Sequence, residues 1–86
     1  MRTFIVYRTT AQATKSDLEQ VNYNAPDQVQ FEGVEFTDGK VAQRWVTTYG
    51  SVAVWDSMED LKHVHIYAHP DYGTRIVWDD GEVEEL

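Results

Sequence analysis

The chain contains no cysteine, and that single absence removes disulfides, thiolate nucleophiles and cysteine-based zinc sites together. It is compatible with a reducing compartment, and the cytoplasm is the expected location. Long apolar runs are missing too. None exceeds four residues, so no stretch spans a bilayer, the N-terminus lacks a signal-peptide core, and no membrane role is expected. Positive charge is scarce: seven Lys and Arg stand against fifteen Asp and Glu, for a net charge of -8. Without a Lys/Arg cluster to release counterions, direct binding to a nucleic-acid backbone is not expected. No P-loop, G-x-S-x-G elbow or dinucleotide fingerprint occurs, which leaves nucleophilic catalysis without a recognisable centre and makes a non-enzyme the expected class.

What is present describes one small folded domain. Eighty-six residues with 42% hydrophobic and 13% aromatic content support a single core and argue against disorder. The acids are uneven: Asp79, Asp80, Glu82, Glu84 and Glu85 fall in the last eight residues. Residues 1–80 are therefore read as the compact domain and residues 81–86 as an acidic C-terminal tail, solvated or available to a basic partner surface.

Thr3 to Arg8 (TFIVYR) is β-branched and aromatic and predicts a strand inside a sheet. Residues 9–30 are polar, and Ser16 with Glu19 fits a capping box for one or two helical turns. Asp38-Gly39 then lies between two alternating runs, the pattern of a two-residue β-hairpin turn. That turn would set Phe36 opposite Val41 and Val34 opposite Gln43, with Val34, Phe36, Val41 and Trp45 facing the core. Gln43 shares this face, and a buried amide needs partners. Val52 to Trp55 predicts a further strand, reached through Tyr49-Gly50-Ser51. Ser57, with Asp60 three residues on, caps a helix from about Met58 to about Tyr67, whose apolar stripe is Met58, Leu61, Val64 and Ala68. Pro70 ends it, and Thr74 to Asp79 is the closing strand. The fold class is α+β: an antiparallel sheet of four to five strands with one helix packed on one face. An exposed edge on so small a sheet invites pairing, so a homodimer is a further expectation.

The segments GVEFTDGKVAQRW, SVAVWDSMEDL, VH and TRIVWDD together resemble a family of small uncharacterised proteins of actinobacteria and their phages. The shared pattern runs G-V-x-F-x-D-G-x-V-x-x-R-W, V-W-D-S-x-E-D, V-H and T-R-I-V-W, and the resemblance covers about residues 2–8 and 33–80. Three departures stand out: the polar stretch 11–30, Gln43 at a position usually aliphatic, and the wide spacing of His65 and His69. The resemblance implies a fold and a phage or mobile-element setting, and it implies no reaction.

Among candidate chemistries, His65 and His69 could share a helical face as metal ligands, but Pro70 takes His69 off the helix and no complete ligand set can be named. Structural roles at a helix end are the plainer reading, and no metal or cofactor is expected. Asp56, Glu59 and Asp60 fit the start of a helix better than acid-base work. Arginines flanked by aromatics are more suggestive, since a guanidinium both stacks and grips anions. Arg44, Arg75, Tyr49, Tyr72 and Gln43 are the candidate ligand-binding residues. The functional expectation is a small non-catalytic binding protein, a phage accessory or anti-defence factor that sequesters a small anionic, nucleotide-like ligand. The alternative is an acidic protein-interaction module or nucleic-acid mimic that blocks a basic site on a host protein.

Overall fold

The TFIVYR segment has apolar residues in both phases of its alternation, and it lies between two other strands. In the computed structural model, which describes residues 1–8, 28–46 and 49–86, it forms β1 (Arg2–Arg8). The others are β2 (Val29–Glu35), β3 (Val41–Trp45), β4 (Val52–Trp55), β5 (Thr74–Trp78) and β6 (Val83–Glu85). All adjacent strands are antiparallel, and the order across the sheet is β4-β3-β2-β1-β5-β6. Helix α1 (Met58–His65) covers one face, and a single 3-10 turn (Pro70–Tyr72) follows it. The fold is therefore α+β as expected, but the sheet has six strands among the described residues rather than four or five. The additional strand comes from residues 83–85, within the acidic C-terminal segment. The expected capping box at Ser16 and Glu19 lies outside the described residues.

The hairpin between β2 and β3 differs from its sequence reading by one residue. Phe36 N donates to Lys40 O at 2.8 Å and Gly39 N to Phe36 O at 2.9 Å, while Gly39 adopts φ 91°. These bonds define a three-residue loop, a turn closed by a glycine bulge, instead of the two-residue turn. Glu35 consequently faces Val41, Gly33 faces Gln43 and Phe31 faces Trp45. A slip of one residue reverses a whole strand, so Val34 and Phe36 point away from the helix, and Phe36 is 42% exposed. The physical reason is Phe31, which is fully buried and packs edge-on against Trp45 at 4.8 Å. A two-residue turn would have sent that ring to the other face and put Glu32 in its place. The β5–β6 connection repeats the device. Trp78 N donates to Glu82 O, Gly81 N donates to Trp78 O, Gly81 has φ 93°, and Asp80 Oδ1 accepts from Glu82 N as Asp38 Oδ1 does from Lys40 N.

Helix α1 starts where Ser57 Oγ accepts from Asp60 N at 3.1 Å. It ends at His65, slightly earlier than expected. Met58 and Leu61 are buried against the sheet, but Val64 is 50% exposed and Ala68 lies beyond the helix in the solvent. At about 100° per residue, the stripe through Met58 and Leu61 continues to Lys62 and His65 and leaves Val64 on the flank. The core comprises Phe4, Val6, Phe31, Val41, Ile76 and Trp78 from the sheet, with Met58, Leu61 and Ile66 above them. The opposite, open face of the sheet carries no layer among the described residues.

Candidate functional site

Alternation in β1 puts Phe4, Val6 and Arg8 on the helix-covered face, so an arginine occupies a core-phase position at the strand end. Arg8 is 4% exposed. One terminal nitrogen donates to the His65 carbonyl at 3.0 Å, at the C-terminal end of α1 where carbonyls carry partial negative charge. Its guanidinium carbon stands 4.7 Å from the centre of the Tyr72 ring, 5.8 Å from Trp45 and 5.9 Å from Phe31. Among the described residues, Arg8 makes no ion pair and its Nε has no acceptor. Directly across the strand pair is Thr74, buried, whose hydroxyl also lacks a partner. Two buried donors, Arg8 Nε and the Thr74 hydroxyl, thus stand on neighbouring strands with no acceptor among the described residues.

The rim is formed by histidines and tyrosine. The His65 ring packs edge-on to Trp45 at 5.1 Å and to Trp55 at 5.4 Å, and His69 stacks on Tyr72 at 4.5 Å with a 5° interplanar angle. Burial lowers the His65 pKa, and the charges of Arg8 and His69 lower it further, which keeps the imidazole neutral near pH 7. Burial also pulls the Arg8 guanidinium below its ordinary value, with Tyr72 opposing. A buried cation without a counter-ion is costly unless an anion completes it. A phosphate or carboxylate oxygen there would take hydrogen bonds from Arg8 and Thr74.

The residues expected from sequence separate. Tyr72 belongs to this cluster. Gln43 lies deeper on the same face, fully buried, where Oε1 accepts from Trp55 Nε1 at 2.8 Å and Nε2 has no acceptor among the described residues. Arg44 and Arg75 are on the open face, three strand spacings or roughly 14 Å apart across the sheet, too far to grip one small anion together. Arg44 pairs with Glu32 at 2.8 Å, and Arg75 sits 5.2 Å from the Tyr7 ring. Tyr49 is exposed on the β3–β4 connection. His65 and His69 point into different ring contacts, and no group of three His, Asp or Glu among the described residues is arranged to hold a metal. Arg8 and Thr74 were missed. The available signal was phase: Arg8 alternates with Phe4 and Val6, and Thr74 with Ile76 and Trp78, as Gln43 does with Val41 and Trp45.

Among the described residues, no helix is long and apolar enough to cross a membrane. Comparison with curated proteins and with solved structures finds no match. A family model described as Acb5 phage protein matches residues 29–80, from the start of β2 to just past β5, and on that match the chain belongs to the Acb5 phage protein family.

Proposed function

We propose that this phage protein is a non-catalytic binding protein that sequesters a small anionic, nucleotide-like ligand, with Arg8 and Thr74 holding the anionic group and Tyr72 and Trp45 flanking the ring. The observation that carries the reading is the pair of buried donors, Arg8 Nε and the Thr74 hydroxyl, that have no acceptor among the described residues. In a phage setting, such a sink would act as an accessory or anti-defence factor by withdrawing a host nucleotide signal. Among the described residues no paired base and nucleophile accompanies the cluster, so capture without turnover is the simplest chemistry. The alternative, an acidic module that blocks a basic host site, draws on the net charge of -8. It is the weaker reading because several C-terminal acids are already engaged: Asp79 by Thr3, Asp80 and Glu82 by Arg2, and Glu84 by Lys62 and Trp78.

The test is calorimetric titration of the full chain with linear and cyclic nucleotides and inorganic phosphate. Binding should be lost in Arg8→Gln, weakened about tenfold in Thr74→Val, which removes one hydrogen bond to a charged group, and retained in Arg44→Ala. Ligand recovered after denaturation should be chemically intact. No binding across the panel, or binding indifferent to Arg8→Gln and Thr74→Val, would remove the reading.

A further inference from the structure

The open face of the sheet is apolar along edge strand β4 and carries the Arg44–Glu32 pair on the two strands beside it. Strand register gives its rows. One runs Val52, Arg44, Glu32, Ile5, Val77 and Val83, and the next runs Val54, Ala42, Val34 and Thr3. Val52 and Val54 are 69% and 70% exposed on edge strand β4, whose four residues include no charge and no proline to discourage association. A groove of about 460 Å³ crosses the middle of this face, lined in part by Ile5, Glu32, Val34, Ala42, Arg44 and Val52.

Charge identifies the occupant. The chain carries -8, so two copies repel across most orientations. On the open face, however, Arg44 and Arg75 offset most of the charge of Glu32, Asp79 and Glu85. It is therefore a face on which a second acidic copy meets little of the repulsion expected from a net charge of -8. The row is also self-complementary. A twofold axis passing between Arg44 and Glu32 sets Arg44 of each copy against Glu32 of the other and brings Val52 over Ile5, an isologous contact. We propose that the protein is a homodimer formed by face-to-face packing of the open sheet faces, with reciprocal Arg44 to Glu32 pairs at the centre and the valines of β4 around them. This interface lies on the opposite side of the sheet from Arg8 and does not depend on the ligand reading.

Light scattering coupled to size-exclusion chromatography, across a micromolar to millimolar range, should give a mass twice the 10.0 kDa of the chain. Glu32→Arg and Arg44→Glu, each alone, should be monomeric, because each places like charges face to face. An equimolar mixture of the two should recover the dimer, since each then supplies the charge the other lacks, an outcome that an effect within one chain cannot produce. Val54→Asp should also be monomeric while still unfolding in one cooperative transition, at a temperature that no longer depends on protein concentration. A monomeric wild-type chain overturns the proposal, whatever else the groove binds. So does a dimer that survives both Val54→Asp and the charge variants, since it must use another surface.

Discussion

At the scale of single residues, Arg8 combines a burial cost with a chemical opportunity. Groups retained against stability are where function is expected to conflict with folding. Replacing Arg8 with methionine keeps the aliphatic stem and deletes an uncompensated charge, giving up the bond to the His65 carbonyl. Without ligand, Arg8→Met should unfold at the same temperature as wild type or higher, because removing a poorly compensated buried charge offsets a lost hydrogen bond of about 1 kcal/mol. A large drop in melting temperature would instead make Arg8 a structural residue. His65 provides a second readout. Its folded-state pKa lies below the ordinary 6.5, so the unfolded chain binds protons more readily. The stability it contributes is complete above pH 6.5 and is lost as pH falls through the lowered folded value. Denaturant titrations at a series of pH values should show this decline, and His65→Phe should flatten it. An anion on Arg8 would remove part of the repulsion acting on His65, so ligand affinity should strengthen as the pH is lowered through the same window.

At the scale of elements, register depends on features that local patterns describe incompletely. The Asp-Gly pairs at residues 38–39 and 80–81 both mark hairpins, yet the dipeptide alone does not distinguish a two-residue turn from a three-residue loop with a bulge. Burial of Phe31 makes that distinction. Gly33 serves the same register from the other side: it faces Phe4 across β1 and Gln43 across β3. A Cβ at Gly33 would fall 2.6 Å from the tip of the Phe4 ring and would also meet the Ala42 carbonyl. Gly33→Ala should therefore destabilise the protein by about 3 kcal/mol, at the upper end of overpacking costs, as measured by urea denaturation. A near-neutral result would mean that β1 and β2 can separate without loss elsewhere.

At the scale of the whole molecule, the two layers are joined at their C-terminal corner by Glu84. Its carboxylate receives Lys62 Nζ from the helix and Trp78 Nε1 from β5, each at 2.7 Å. Burial raises the Glu84 pKa, but these two bonds and the charge of Lys62 outweigh it and leave the group below its ordinary 4.5. Its contribution is thus present above pH 4.5 and lost as pH falls through the lowered value. Glu84→Gln should cost about 1–2 kcal/mol at neutral pH and remove part of the acid sensitivity, while deleting residues 81–86 should lower the melting temperature and red-shift Trp78 fluorescence. An unaltered melt after deletion would restore these residues to the status of a solvated tail. By itself the sequence determined the strand and helix segments, the capped start at Ser57, the break at Pro70 and the α+β class. Each of these follows from interactions among residues a few positions apart. Only the tertiary structure decided the hairpin register, the exposure of Val64 and the sixth strand, because each depends on which distant side chain is available to bury. It alone also brought Arg8 and Thr74 together. They come from opposite ends of the chain and become neighbours because β1, apolar in both phases, takes a place between β2 and β5.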